Sequence, residues 1–179
     1  MNNESKIGYA LQSGEGRIIH FRGTKMTVKV SGEASEGTYS FIEMLHPPNV
    51  GPALHRHPTG AEAFYVLDGE YTIRCGEDVY TANVGDVVLI PKGMPHNYHS
   101  GANGGKVLVV SPAGLENYFS GVADMLKVGA ITWEMEQDIA KSTVKNSSTI
   151  SSTGDNDPSI SGNTPLLFTE RVMLGRAAQ

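Results

Sequence analysis

The sequence predicts an all-β domain, an antiparallel sandwich or barrel, with helices after it. Between Arg17 and Pro112, short apolar runs alternate with glycine, aspartate and proline. Runs of roughly four to eight residues with this punctuation are typical of strands joined by turns. After Pro112 the apolar residues change to helical spacing, and a polar stretch follows. These observations place a β-barrel before carboxyl-terminal helices.

The strand-like runs follow one another at short intervals. In chain order they are IIHF, KMTVKV, TYSFIEML, FYVL, YTIRC, VVLI and KVLVV. KMTVKV alternates polar and apolar residues, as a strand with one buried face does. FYVLDGEYTI predicts a hairpin, because Asp68-Gly69 suits the positive φ angles of a two-residue turn.

Beyond the strands, Leu115, Phe119 and Val122 recur at helical spacing, which predicts a helix over residues 114–127. We expect its apolar stripe to pack against the barrel or to cap the barrel's mouth. Residues 133–141 are a weaker helix candidate. The following segment has few large apolar residues, so we interpret it as a linker. The predicted organisation is a tail (1–16), a β-barrel (17–112), helices (113–142), a polar linker (143–164) and a carboxyl-terminal extension (165–179).

The composition excludes several classes of function. A net charge of -5 without a basic stripe argues against nucleic-acid binding. Cys75 is the single cysteine, so an internal disulfide and a zinc site built from cysteine pairs are both excluded. The first residues lack the apolar core of a signal peptide, and no run approaches the roughly 20 apolar residues of a membrane span. We therefore expect a cytoplasmic protein that binds neither nucleic acid nor membrane.

Two histidines and a glutamate stand close together in LHRHPTGAEAFYVLDGE, residues 54–70. His55 and His57 are two residues apart, so in extended backbone they project from the same face. Glu62 follows after a short gap, and His96 comes just beyond a Pro-x-Gly turn. Three imidazoles and one carboxylate suit a first-row transition metal. A lone histidine is more often structural, but four such groups on strand-like segments indicate a metal site.

These motifs resemble those of the cupin superfamily. The first cupin motif is H-x-H, a gap of three or four residues, glutamate, a gap of six and glycine; it is met by His55, His57, Glu62 and Gly69. The second is glycine, a gap of five, Pro-x-Gly, a gap of two and histidine; it is met by Gly85, Pro91, Gly93 and His96. There are two departures. The glycine that usually precedes the histidines is displaced to Gly51, and the usual late asparagine is Ser100.

The resemblance covers roughly residues 17–127 and implies a double-stranded β-helix, the small jelly-roll barrel of cupins. It also implies one divalent metal ion, held by His55, His57, Glu62 and His96. Iron, manganese, nickel, cobalt, copper and zinc all accept such ligands. The stretch around HFRGTKMTVKV and the later SPAGLENYF look like single-domain cupins similar to quercetin dioxygenases. In such enzymes the glutamate ligand also removes the substrate hydroxyl proton, so Glu62 would be both ligand and general base.

Four residues are candidates for lining a substrate pocket. Phe64 and Val66 share the face of Glu62, and Tyr98 shares that of His96. The fourth is Met94. Core packing is the commoner role of such residues.

Other ionisable residues are weaker candidates. By strand alternation, His99 turns away from His96, and we expect it to be exposed. We expect structural or surface roles for His46 and His20. Glu43 lies in a strand, and the sequence does not determine which face of the strand its side chain occupies. Whether Glu43 is a second carboxylate in the pocket is therefore left open at this point.

The leading hypothesis is a metal-dependent dioxygenase acting on a flavonol-like or other enolisable aromatic small molecule, with dioxygen as co-substrate. One alternative is a non-oxidative isomerase, cyclase or dehydratase of secondary metabolism that uses the metal as a Lewis acid. Another is a non-catalytic cupin that binds a small molecule. Because related cupins commonly dimerise through their first strands, we also expect a homodimer formed through residues 17–30, with residues 165–174 as a further contact.

Overall fold

The computed structural model describes residues 8–150, and side chains as far as residue 143. Most of the predicted linker and all of the predicted extension lie outside these residues. The strands are β1 (Arg17–Phe21), β2 (Thr24–Val30), β3 (Ser40–His46), β4 (Glu62–Cys75), β5 (Asp78–Ala82), β6 (Val87–Ile90) and β7 (His96–Ser111). The helices are α1 (Leu115–Val128) and α2 (Trp133–Ile150).

All strand pairs are antiparallel, which confirms the predicted all-β class. The strand order is β1-β2-β3-β7-β4-β5, and β6 pairs with the first half of β4. The two long strands β4 and β7 pair along most of their length, from Ala63 opposite Val110 to Cys75 opposite His96. The register between β4 and β7 shifts twice near the middle of this pairing. Such irregularities bend and twist strands, as closure of a sheet into a barrel requires.

A single core fills the inside of the barrel. Alternate residues of the strands point inward and are buried, as period-two side-chain alternation requires. Full burial of one such aliphatic or aromatic side chain stabilises the fold by about 1.5–3 kcal/mol. The members of this core on the four longest inner strands are Met26, Val28, Ile42, Met44, Phe64, Val66, Tyr71, Ile73, Tyr98, Val107 and Val109.

The predicted hairpin at Asp68-Gly69 is wrong, because β4 continues through both residues. Gly69 has a φ of 74°, and a Cβ there would lie 2.4 Å from the carbonyl oxygen of Gly104. The glycine therefore permits a close approach of β4 to β7 at a bulge rather than a chain reversal. The reversal comes later, between Cys75 and Asp78, and leads into β5, a strand that the sequence analysis did not identify.

Helix α1 occupies Leu115–Val128, in agreement with the predicted helix over residues 114–127. Its buried residues include Tyr118 and Val122, and Phe119 packs against the barrel core. The apolar stripe of α1 thus packs against the barrel, which is the first of the two arrangements expected from the sequence.

Helix α2 begins at Trp133 as predicted, but it continues to Ile150 and enters the segment assigned to the linker. Ala140 and Thr143 are buried, and the Thr143 hydroxyl donates a hydrogen bond to the carbonyl oxygen of Ile139. A polar residue can therefore continue the helix because its hydroxyl is satisfied within it. In the described part of the chain, neither helix combines the length and apolar character that a membrane crossing requires.

Candidate metal centre

The structure brings the four predicted ligand residues together at one end of the barrel. His55 and His57 lie in the loop between β3 and β4, Glu62 begins β4, and His96 begins β7. His55 and His96 exchange two backbone hydrogen bonds, of 2.9 and 2.8 Å between nitrogen and oxygen. The carbonyl oxygen of His57 accepts a further hydrogen bond of 2.9 Å from the amide of Gly93. The loop that carries the histidines is thus held against the start of β7 by backbone pairing.

Gly51 explains how this loop approaches β7. A Cβ at Gly51 would lie 1.6 Å from the carbonyl oxygen of Tyr98, so a larger residue would push the loop away. The glycine displaced from its usual place in the motif therefore serves a close backbone contact.

Each of the four residues offers one ligand atom, and these atoms all lie within 4.8 Å of one another. The Oε2 atom of Glu62 is 2.9 Å from His96 Nε2 and 3.4 Å from His57 Nε2. Neighbouring ligands on a metal ion at about 2.1 Å would stand about 3 Å apart in octahedral geometry. The spacing therefore fits one metal ion.

Hydrogen bonds on the outer side of the cluster orient two of the rings. The Nδ1 atoms of His55 and His96 each lie 2.9 Å from a backbone carbonyl oxygen, those of Ala53 and Met94 respectively. Carbonyl oxygens only accept, so Nδ1 carries the proton, and the Nε2 lone pair of a neutral ring is left for the centre. At His96 that lone pair would face the Glu62 carboxylate at 2.9 Å, and a cation between the two atoms would offset their repulsion.

His57 gives a second indication that the cluster suits a cation. Its Nε2 atom is buried, and although Glu62 Oε2 lies 3.4 Å away, no described residue makes a hydrogen bond to it. Buried polar atoms are seldom left unsatisfied, because desolvation without a partner costs free energy. A metal ion at the centre of the cluster would satisfy this atom.

The electrostatics of the cluster favour the protonation states that bind metal. Burial, with the neighbouring His96 and His57, lowers the pKa of His55 to about 3. Burial alone would raise the pKa of Glu62, but the facing His57 and His96 hold it below its usual range. At neutral pH His55 is therefore neutral and Glu62 ionised, as metal coordination requires.

A cavity of about 400 Å³ adjoins the cluster and is lined in part by His55, His57 and Glu62. The barrel, the loop between β3 and β4, and both helices form its walls. Most of the lining is apolar. Its larger apolar and aromatic members are Phe21, Met26, Met44, Phe64, Tyr98, Leu115, Tyr118, Phe119 and Trp133.

Comparisons with known proteins agree with this geometry. Residues 41–111 match the family model described as a cupin domain. The described chain has the cupin fold. The structure is similar to that of a predicted oxalate decarboxylase from Thermotoga maritima, with a TM-score of 0.52 and 24% identity over 59% of this chain and 99% of the other. It is also similar to the polyketide cyclase RemF from Streptomyces resistomycificus, with a TM-score of 0.50 and 18% identity over 59% of this chain and 80% of the other.

A third similar structure is an RmlC-like cupin from Shewanella frigidimarina, with a TM-score of 0.50 and 16% identity over 60% of this chain and 93% of the other. At these identities the likeness establishes the cupin fold and nothing about activity. No curated protein matches the sequence at a significant level.

Of the four predicted pocket residues, Phe64 and Tyr98 line the cavity. Val66 is instead fully buried in the core, where it pairs with Val107 of β7. Met94 packs against the core beside Gly76. Strand alternation predicts the face on which a side chain lies, but not whether that part of the face borders the cavity.

The other ionisable candidates from the sequence differ in whether they reach the cavity. His20 and His99 are exposed, as expected. Glu43 lies 3.8 Å from Lys106 and does not line the cavity, so it is not a second carboxylate of the pocket. His46 is buried and lines the cavity, where its ring nitrogens contact two tyrosine hydroxyls.

The second carboxylate in the cavity wall is Glu136 of α2, which the sequence analysis did not identify. Its Oε2 atom lies 2.6 Å from Nη2 of Arg22, and its Oε1 atom accepts a hydrogen bond of 2.5 Å from the Tyr118 hydroxyl. Within residues 133–143 of α2, where side chains are described, the buried residues are Glu136, Ala140 and Thr143. Their i, i+4, i+7 spacing is the pattern that could have marked this face.

Proposed function

We propose that this cupin domain is a metal-dependent dioxygenase acting on a flavonol-like or other enolisable aromatic substrate. The observation that carries the proposal is the cluster of three histidines and one glutamate at the wall of a largely apolar cavity of about 400 Å³. A pocket of this size and character suits a small aromatic molecule.

Four protein ligands leave two positions on an octahedral ion. A divalent ion held there would supply Lewis-acid activation of a substrate oxygen and, for a redox-active ion, the capacity to react with dioxygen. We assign His55, His57, Glu62 and His96 as its ligands.

Glu62 is proposed to act as general base as well as ligand. Its carboxylate is ionised and buried beside the cavity. It could accept the proton of a substrate hydroxyl that binds at an open position of the ion. Its other role is to hold the ion. The apolar wall around Phe64 would exclude water from the ionised substrate.

Oxygen consumption tests the proposed reaction directly. The protein is loaded in turn with iron, manganese, nickel, cobalt, copper or zinc, and oxygen uptake is recorded with quercetin and with simpler enolisable phenols. Uptake coupled to loss of the phenol supports a dioxygenase. Turnover that proceeds equally under nitrogen would favour the non-oxidative isomerase, cyclase or dehydratase, and binding without turnover would favour a binding module. Elemental analysis of protein purified without chelators or affinity metals identifies the native ion.

The Glu62→Gln variant separates the two roles of Glu62. Glutamine preserves the size and a weak carbonyl ligand but removes the basic oxygen. If Glu62 is the base, turnover at matched metal occupancy stays depressed by roughly 10²–10⁴-fold. Wild-type turnover at equal occupancy would leave Glu62 as a ligand only.

A further inference from the structure

A chain of three buried aromatic side chains runs beside the cavity, from Tyr71 through His46 to Tyr98. The Nδ1 atom of His46 lies 2.9 Å from the Tyr71 hydroxyl, and its Nε2 atom lies 3.0 Å from the Tyr98 hydroxyl. His46 and Tyr98 line the cavity, whereas Tyr71 is fully buried in the core behind them.

The number of protons in this chain limits how it can be arranged. Burial lowers the pKa of His46 to about 4, so at neutral pH the ring carries one N–H. Each hydroxyl also carries one proton. The chain therefore has a direction: either Tyr71 donates to His46 and His46 donates to Tyr98, or the reverse.

The surroundings of the two hydroxyls select one direction. In the reverse arrangement the chain would end at Tyr71, whose hydroxyl has no acceptor besides His46 among the described residues. In the forward arrangement it ends at Tyr98, whose hydroxyl can donate to Met44 Sδ, 3.7 Å away. Leaving a buried hydroxyl proton unsatisfied costs about 1–3 kcal/mol, which favours the forward arrangement.

In that arrangement the Tyr98 hydroxyl donates its proton to a weak acceptor beside the cavity, the sulfur of Met44. A thioether sulfur is a much poorer acceptor than a carbonyl or ether oxygen. Met44 also lines the cavity, so a molecule bound there would bring its own acceptors near the same hydroxyl. Such an oxygen would replace sulfur as the acceptor at little cost.

We infer that Tyr98 is a specificity-determining hydrogen-bond donor for an acceptor oxygen of the bound molecule, with Tyr71 and His46 fixing the direction of its O–H. The inference rests on the proposed function and narrows its substrate class. Besides the ionisable oxygen that Glu62 deprotonates, the substrate carries a carbonyl or similar acceptor oxygen within reach of the Tyr98 hydroxyl. A tyrosine hydroxyl carries its proton at neutral pH, so Tyr98 is available as a donor.

The direction of the chain can be tested without any ligand. Nitrogen chemical shifts of His46 distinguish its two neutral tautomers in ¹⁵N-labelled protein. We expect the proton on Nε2. A proton on Nδ1 would reverse the chain and overturn the inference, whatever reaction the protein catalyses.

The recognition step is tested by calorimetric binding to the zinc-loaded protein, which is redox-inert. The two probes are 3-hydroxyflavone and 2-naphthol, which has an ionisable aromatic hydroxyl but no carbonyl oxygen. Tyr98→Phe should weaken binding of 3-hydroxyflavone by about tenfold, the usual effect of one lost hydrogen bond, and leave 2-naphthol binding unchanged. Tyr80→Phe, which removes an exposed hydroxyl on β5, is the matched control.

Equal affinity of wild type and Tyr98→Phe for 3-hydroxyflavone would overturn the inference while leaving the proposed reaction intact. A wild type that binds neither probe would contradict the flavonol-like substrate, and the tautomer of His46 would then decide the donor chain by itself. Thermal unfolding of each variant confirms that a loss of affinity does not come from a loss of folding.

Discussion

His57 carries a buried ring nitrogen without a hydrogen-bond partner in the described structure, so its substitution tests the metal centre most directly. In His57→Ala the cluster loses one of four ligands while the barrel core is untouched. Loss of even a supporting contact to a ligand weakens metal binding by roughly 10–100-fold, so we expect a larger loss here. Metal content after dialysis and competition titrations measure it.

His99→Ala is the control for this experiment, because His99 belongs to the same strand as His96 but is exposed. It should retain the wild-type metal content. Near-stoichiometric metal in folded His57→Ala would remove His57 from the ligand set.

His46 makes the free energy of unfolding depend on pH. Burial lowers its pKa from 6.5 to about 4, so between these values the unfolded chain binds more protons than the folded one. Stability contributed by the neutral ring is therefore complete above pH 6.5 and is lost as the pH falls toward 4. The full loss is at most about 3 kcal/mol. Urea unfolding of the metal-free protein across this range measures it.

His46→Gln provides the comparison, since glutamine does not titrate. Its stability should fall less than that of the wild type between pH 6.5 and pH 4. Parallel curves for the two proteins would show that His46 titrates with its ordinary pKa.

The clustering of the candidate ligand residues was predictable from sequence because local spacing determines their placement. His55 and His57 share a face in extended backbone, and the turn before His96 is marked by proline and glycine. Glu136 was not predictable in this way. It reaches the cavity because α2 packs on α1 in a cluster that also contains Phe21 of β1, a residue far from both helices in the sequence.

At the scale of elements, the composition of a turn is a weaker guide than strand pairing. Asp68-Gly69 has the sequence of a tight hairpin turn, yet β4 passes through it because both halves of the strand pair with β7. The gain from continuous pairing and core burial on both sides of Gly69 outweighs a local turn preference. The end of α2 also shows packing outweighing a local sequence preference. Thr143 is buried against its neighbours, and the helix continues into a polar segment.

Helix α2 forms one wall of the cavity, and Glu136 links it to both the barrel and α1 through Arg22 and Tyr118. Glu136→Gln keeps an acceptor for Tyr118 but removes the charge that pairs with Arg22. Because Arg22 is half-exposed, we expect a modest loss of about 1 kcal/mol. Backbone amides of α2 should then exchange with solvent roughly fivefold faster, as measured by hydrogen–deuterium exchange.

Asp138→Asn makes the same chemical change on the same helix at an exposed carboxylate. It should leave the exchange rates of buried α2 amides near those of the wild type. Equal rates in Glu136→Gln and Asp138→Asn would show that the ion pair with Arg22 does not hold α2 in place.

At the scale of the whole molecule, β1 is an edge strand that pairs with β2 alone among the described strands. Unpaired edge strands invite association with a second chain. Ile18 of β1 is 48% exposed, so this edge presents a large aliphatic side chain to a second chain. We propose that two copies associate through residues 17–30, and we expect light scattering to give twice the chain mass of 19.1 kDa.

The Ile18→Lys variant tests this surface, because a lysine on an edge strand opposes pairing with another strand. It should shift the population toward the monomer at equal concentration without lowering the metal content, since Ile18 does not line the cavity. Val128→Lys introduces the same charge at an exposed aliphatic residue at the end of α1 and should leave the dimer intact. A wild type that is monomeric at high micromolar concentration would contradict the dimer itself. A dimer that survives Ile18→Lys unchanged would instead place the interface away from β1.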